Sequence, residues 1–280
     1  FQILFYHLAY LVSLLSIAGY GIIFKSLVFK HLKEESIFSL FFLGLPILLF
    51  ISVINYILIG YLPVLNLIII FSGFFYFFFK FSLSRNLLNS IIVPSILFIG
   101  LLISKTHEDF GLYHYPHLSE LISGELKLGL GNLEHRYVYS SLYAYIQAIF
   151  YFPYLELKLL HIPVFLIYVS LVAYLIEKIE NTYETNLQTF LGFLAIFLIL
   201  KFTRLSEFGY DYINHFLLIF LFTEFIISRK ISFQYRYWKL IIHYIFAISV
   251  KVTSLFFLPI ILYFIISGKF IQSFFKNFSL

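Results

Sequence analysis

The sequence predicts an all-α fold, a polytopic transmembrane helical bundle of about eight spans with one long outer loop that carries short amphipathic helices. Three observations predict it. First, 61% of the 280 residues are hydrophobic, 22% are aromatic and only 12% are charged, against about 45–50% apolar and 25% charged in soluble domains. So little polar surface cannot coat a water-soluble fold, which excludes a cytosolic enzyme, a secreted domain and a disordered tail. Second, apolar stretches recur at the roughly 20 residues that a hydrocarbon core about 30 Å thick requires of a helix. Third, Lys and Arg lie between those stretches, as in the cytoplasmic loops of membrane proteins.

In chain order, the stretches that fit are 1–24, 37–59, 63–79, 90–104, 157–177, 187–203, 212–228 and 240–266, with 141–153 as a further candidate. Their close succession predicts a single transmembrane domain over 1–280, with 105–156 as its outer loop. A chain with no Met that opens on Phe1 is expected to be part of a longer reading frame. With no Cys, disulfides, thiolate metal sites and cysteine nucleophiles are excluded. The formal charge of +5 marks topology and gives no nucleic-acid signal.

Orientation follows from three basic connections: Lys25, Lys30 and Lys33; Lys80 and Arg85; and Arg229, Lys230, Arg236 and Lys239. All three lie inside only if 105–156 makes no net crossing, and the long loop and the Arg204–Asp211 loop then share the outer side.

Polar groups gather at the start of the long loop, where His107, Glu108 and Asp109 leave a span. A short helix is expected from Pro116, since Pro suits a first turn, with Ser123-Gly124 ending it. Leu118, Leu121, Ile122 and Leu126 would share one face, laid on the bilayer surface with Glu120 turned away. Gly129-Leu-Gly-Asn132 allows a tight turn, but no strand precedes it, so a nucleotide loop is disfavoured. In 141–153, Tyr143, Gln147 and Tyr151 share a face opposed to apolar neighbours, which predicts a half-wet interfacial or re-entrant helix packed on protein. His107, His114, His117 and His135 read as interfacial hydrogen-bonders in preference to a metal site, because no His-Glu-x-x-His pair sets a coordination face. Glu108 and Asp109 can supply a general base or hold a divalent cation.

Within 240–266, Lys251 falls at mid-span, followed by Thr253 and Ser254. A charge at the bilayer centre costs roughly 2.5–3.5 kcal/mol and usually faces a cavity or partner. The expected role is to bind an anionic head group, against the alternative of a Lys that snorkels along a long, tilted helix. Lys201, Arg204, Glu207 and Asp211 mark the second outer loop, and Asp211 could equally cap the helix that follows. His161, His215 and His243 read as buried hydrogen-bonders, and Glu224 as a partner of Arg229 or Lys230.

These residues carry a family resemblance. The order of long outer loop with an early acid, surface helix, second acidic outer loop and later intramembrane Lys resembles the GT-C class of integral-membrane glycosyltransferases, which use polyprenyl-phosphate-linked sugars. Asp109-Phe-Gly-Leu-Tyr113 looks like the Asp-Glu-x-x-Tyr opening of their first outer loop without its second acid, with Glu108 standing before it instead. Arg204-Leu-Ser-Glu-Phe-Gly-Tyr-Asp211 is loosely similar to the second acidic loop of the oligosaccharyltransferase branch. More closely, Asp109-x-x-x-Tyr113-His114-x-Pro116, Gly129-Leu-Gly-Asn132-Leu-x-x-Arg136 and Lys251-Val-Thr253 resemble a largely uncharacterised family of bacterial multispan membrane proteins.

The resemblance covers roughly 105–255 and implies a GT-C-like fold in a bacterial cytoplasmic membrane. It implies Asp109 as the base that deprotonates an acceptor hydroxyl, with Glu108 and Asp211 orienting the acceptor or a metal. Lys251, with Arg204 or Arg136, would hold the lipid phosphate, and Tyr113, His114, Asn132 and Thr253 would line the substrate site. The implied partners are a polyprenyl-phosphate-linked sugar, membrane lipid, and a glycan, lipid or protein acceptor, with a divalent cation as the one cofactor to consider. Two competing expectations are a transporter of a lipid-linked glycan or small solute, which would favour internal repeats that are not evident here, and a non-catalytic subunit of an envelope complex.

Overall fold

The structure, a computed structural model, describes residues 2–28, 36–80, 85–103, 108–123, 129–132, 137, 141–152, 158–201, 211–227 and 233–267. Among the described residues every regular element is helical and none is a strand: α1 (Gln2–Val28), α2 (Ile37–Leu58), α3 (Pro63–Lys80), α4 (Arg85–Leu97), α5 (Ile99–Leu102), α6 (Tyr115–Ile122), α7 (Tyr143–Ile149), α8 (Lys158–Glu180), α9 (Thr185–Leu200), α10 (Asp211–Ile227), α11 (Phe233–Val250) and α12 (Leu258–Ser267). A π-helical turn, Phe110–His114, precedes α6, and 3-10 turns span Leu130–Asn132 and Val252–Phe257. Four helices, α1, α2, α3 and α8, are long and apolar enough to cross a membrane.

Local sequence explains the boundaries in the first half of the chain. Ser36 is extended, and its hydroxyl accepts the Ser39 amide at 3.2 Å, satisfying one of the orphan donors at the start of α2. The helix ends where Gly60 takes φ 88°, a left-handed conformation that costs a glycine nothing. The Asn55 carbonyl accepts the amides of Ile59 at 3.0 Å and Gly60 at 2.9 Å. Three residues on, Pro63 opens α3, where its missing N–H is no loss.

Glycines bring α1, α2 and α3 into backbone contact. A Cβ on Gly19 would sit 1.9 Å from the Gly73 carbonyl oxygen, and one on Gly44 would sit 1.8 Å from that of Ile17. Small residues are favoured at such crossings because in lipid the attraction between helices is chiefly close packing. The hub of the bundle is α8. Apolar on every face, it is buried continuously from Leu159 to Leu175 and touches α1, α2, α4, α5, α7, α9 and α10, as expected of a helix with no polar side. By contrast α3 turns Val64, Ile68, Phe75 and Phe79 outward, and α9 turns Phe193 and Leu200 outward, surfaces suited to lipid.

Hydrogen bonds fix which helix ends lie together. Ser52, Asn66, Leu160, Asn214 and Ser249 gather around α7 and the 252–257 turn, at what is here termed the loop end. Ser39, Tyr174, Glu224 and Lys239 meet at the other end, from which the basic connections between α1 and α2 and between α10 and α11 depart.

Several expectations are corrected by these elements. The stretch 90–104 is helical as far as Leu102, with Pro94 inside it and a local irregularity at Phe98, which itself keeps helical dihedrals, φ −52° and ψ −29°. At seven residues α7 is only about 10 Å long and does not cross a bilayer. Nor is it half-wet, because Tyr143 and Gln147 are fully buried and only Leu142, at its cap, is exposed. The face of α6 formed by His117, Leu118 and Leu121 is buried in the protein core and packs on α7, so it does not lie on the bilayer; Leu126 is outside the described residues.

The largest correction concerns 240–266, which is not one helix. α11 stops at Val250, Lys251 is extended at φ −154° and ψ 127°, and the chain resumes as the 252–257 turn and then α12. Lys251 therefore lies one helix length, about 27 Å, from the start of α11, at the loop end of the bundle.

Candidate functional site

The loop end holds two polar groups joined by a buried helix. In the first, the π-helical turn inserts an extra residue ahead of α6, a distortion that recurs at functional sites. Across it the Tyr113 hydroxyl donates to Asp109 Oδ2 at 3.4 Å, and the Tyr113 and His114 rings lie 4.1 Å apart. Asp109 and Tyr113 are half-buried, His114 is buried and Glu108 is exposed. A turn later His117 is buried, its ring 5.3 Å from that of Tyr137. Burial lowers His117 from its ordinary 6.5 to about 4, against the opposing pull of the Glu120 carboxylate, so it is neutral at pH 7.

The joining element is α7, whose backbone is gripped from three sides. Both Ser52 and Tyr61 donate to the Tyr145 carbonyl, Tyr61 at 3.1 Å. Asn66 donates to the carbonyls of Ala148 at 3.2 Å and Tyr151 at 3.3 Å. Gln147 returns a bond to the Leu160 carbonyl at 3.3 Å. A short helix leaves most of its carbonyls without internal donors, and these side chains supply them where water is excluded. Its leading amide, Leu142, donates to the Ser249 carbonyl at 3.1 Å.

That bond reaches the second group. An unbroken α11 would pair the Ser249 carbonyl with the amide four residues on, and Leu142 takes its place. The Ser254 hydroxyl adds a donor to the Ala247 carbonyl at 3.0 Å, which also accepts the Lys251 amide at 3.0 Å. Ser254 also donates to Asn214 Oδ1, and Asn214 Nδ2 donates to Thr253 Oγ1 at 3.3 Å. One carboxamide from α10 thus fastens the turn that follows Lys251. Lys251 is half-buried and Thr253 exposed.

The residues expected to form the site are therefore distributed unevenly. Asp109, Tyr113 and His114 share one turn, Lys251 and Thr253 share the helix break, and α6, α7 and the Leu142–Ser249 bond connect the two. Asn132 is exposed on the 130–132 turn, where its amide donates to the Gly129 carbonyl at 2.8 Å; Gly129 takes φ 77°, as a tight turn requires. Asp211 opens α10, but its side chain, like Arg136, Arg204, Glu207, His107 and His135, lies outside the described part of the structure. No group of three His, Asp or Glu side chains converges to hold a metal among the described residues, and Glu108 and Asp109 alone do not complete a cation site.

Other histidines divide. His161 is buried, and His243 is buried with its Nδ1 2.6 Å from the Lys239 carbonyl. His215 is exposed because it points off the outer face of α10. Glu224 pairs with Lys239 at 3.2 Å, fifteen residues on in the next helix; Arg229 and Lys230, its expected partners, lie outside the described residues. Sequence reasoning missed Ser52, Tyr61, Asn66 and Asn214; the rarity of amide side chains within apolar spans was the signal for Asn66 and Asn214, and Ser52 and Tyr61 carried none.

An all-helical bundle with four helices of membrane-crossing length and one organised loop end defines a membrane protein. The chain belongs to a family described as a domain of unknown function (DUF8201), whose family model matches residues 3–280. No curated protein and no solved structure matches it.

Proposed function

We propose that this protein is a multi-pass GT-C-type glycosyltransferase of about eight spans that moves a sugar from a polyprenyl-phosphate donor to an acceptor on the outer face of a bacterial cytoplasmic membrane. The observation that carries the reading is the presence, at one end of the bundle, of an acid–tyrosine pair on a distorted turn and a lysine at a helix break, bridged by a helix anchored to both regions. With the basic connections inside, that end faces out.

In the proposed step Asp109 takes the proton of an acceptor hydroxyl, whose oxygen forms the new bond to the anomeric carbon as the bond from that carbon to the phosphate oxygen breaks. Charge then grows on the departing polyprenyl phosphate, where Lys251, with Arg136 or Arg204, would offset it. Tyr113 orients the Asp109 carboxylate. Glu108 and Asp211 orient the acceptor, and His114, Asn132 and Thr253 complete the lining.

The test is sugar transfer by the protein in proteoliposomes supplied with radiolabelled polyprenyl-phosphate sugars. Asp109→Asn is expected to abolish transfer with expression and folding unchanged, and undiminished turnover in that variant would remove the base assignment. The helix break at Lys251 favours a second reading, a transporter, because discontinuous helices build substrate sites in that class. Flux of a lipid-linked glycan across the liposome membrane without transfer would favour it.

A further inference from the structure

At the end of the bundle remote from the loop site, four helices each contribute one polar group to a buried cluster. Lys239 Nζ of α11 lies 3.2 Å from Glu224 Oε1 of α10 and donates to Ser39 Oγ of α2 at 2.6 Å. The Tyr174 hydroxyl of α8 donates to the same carboxylate oxygen. Glu224 is 4% and Lys239 5% exposed. The Lys178 ammonium stands 5.0 Å from the centre of the Tyr174 ring, and residues 176–179 of α8 are only half-buried, so the cluster borders the surface at this end.

One layer deeper, aromatic rings cross the same helix boundaries. Phe42 of α2 stacks on Phe220 of α10 at 3.9 Å and 16°, with Tyr174 5.1 Å and His243 5.0 Å from the Phe220 ring. Lys239 Nζ is itself 6.0 Å from that ring. Polar pair and ring stack thus lie in series between α2 and α8 on one side and α10 and α11 on the other.

Stability does not explain the charges. Well-packed apolar residues of similar volume hold helices together as well as a buried ion pair or better, whereas loss of one partner is strongly destabilising. Charged groups at membrane depth are costly and are kept where they act. What an ion pair offers, and leucines do not, is separation into two groups that water can solvate.

We propose that Glu224 and Lys239, supported by Tyr174 and Ser39, form a latch that closes this end of the bundle over the Phe42–Phe220 stack, and that release of the pair admits water between α2–α8 and α10–α11. The latch is independent of the transferase reading, and its test measures no transfer.

The chain has no Cys, so a single introduced thiol reports without background. Thr223, next to Glu224 in α10, is fully buried, and Thr223→Cys places a thiol in the buried interior on the same helical turn as Glu224. In purified protein in nanodiscs, alkylation of that thiol by N-ethylmaleimide is expected to be slow. It should accelerate at least about tenfold when Glu224→Gln leaves Lys239 unpaired, and by less in Tyr174→Phe, which keeps the pair and removes one donor. The double variant Glu224→Leu/Lys239→Leu should remain as slow as the parent, with thermal stability equal or higher. If Glu224→Gln does not fold, Tyr174→Phe and the charge-exchanged Glu224→Lys/Lys239→Glu, predicted to return to the slow rate, carry the test. Folded Glu224→Gln or Tyr174→Phe protein that alkylates no faster than the parent would overturn the latch and leave a static brace.

Discussion

The amide of Leu142 donates to the carbonyl of Ser249 at 3.1 Å, joining the loop that follows α6 to the helix break at Lys251 across more than a hundred residues of sequence. This bond and the Asn214 clamp explain why α11 ends where it does. Thr253 and Ser254 then turn aside, and Lys251 is left extended at the loop end. Three anchors from α2, α3 and α8 hold α7 in place to make the bond, so the N-terminal helices serve the loop site as its support.

Asn66 is the anchor whose removal should be clearest. Asn66→Leu keeps the volume but removes the side-chain donor to the part-buried Tyr151 carbonyl and one of the donors to that of Ala148, which also accepts the Tyr151 amide at 3.2 Å. A loss of roughly 1–3 kcal/mol is expected, read as a lower melting temperature and faster hydrogen exchange confined to 143–151. Unchanged exchange in that segment would show that α7 is held without it.

Gly44 cannot accept a methyl group. Its Cβ would sit 1.8 Å from a backbone oxygen of α1, and backbone cannot rotate away as a side chain can, so α1 and α2 must separate. Gly44→Ala is expected to destabilise by about 3 kcal/mol or more. Gly111→Ala, where a Cβ meets nothing within 4 Å, is the matched control and should melt with the parent.

His117 predicts a pH dependence. Its proton affinity is lower in the folded protein, at about 4, than in an unfolded chain near 6.5. Between those values the unfolded state binds the extra proton, so stability falls as pH drops from about 6.5 toward 4 and levels off below. The loss is on the order of 3 kcal/mol. His117→Phe keeps a ring beside Tyr137 and removes the titration; comparing melting temperatures of the two proteins across that window isolates the effect.

Lys251 separates charge from structure. Lys251→Arg should retain binding of a polyprenyl phosphate in nanodiscs, and Lys251→Leu should weaken it at least about tenfold as one charge-assisted contact is lost, with little change in melting temperature. A third variant, Ser254→Ala, breaks the Asn214 clamp and should weaken binding with Lys251 intact. Equal binding by all three would remove Lys251 and its clamp from the head-group site.

Much of the fold is legible in one dimension. Apolar stretches of membrane length marked α1, α2, α3 and α8, because the bilayer imposes a length that composition alone reveals. Pro116 and Ser123 bracketed α6, since caps and first turns are set by adjacent residues. The acid–tyrosine spacing of Asp109 and Tyr113 was visible as well, being a contact within one turn.

Tertiary structure alone decided the rest. Whether 240–266 continues as a helix depends on donors from Leu142 and Asn214, remote in sequence and close only after the bundle assembles. The partner of Glu224 was chosen by the same means. Lys239, fifteen residues on, faces it across the α10–α11 interface, a meeting that no spacing along the chain announces, and Arg229 and Lys230 lie outside the described residues. Sequence determined that this protein must be built of apolar helices with a few scarce polar groups. Which of those groups meet was left to packing, because in an apolar interior a polar atom must take a partner from whatever helix lies beside it.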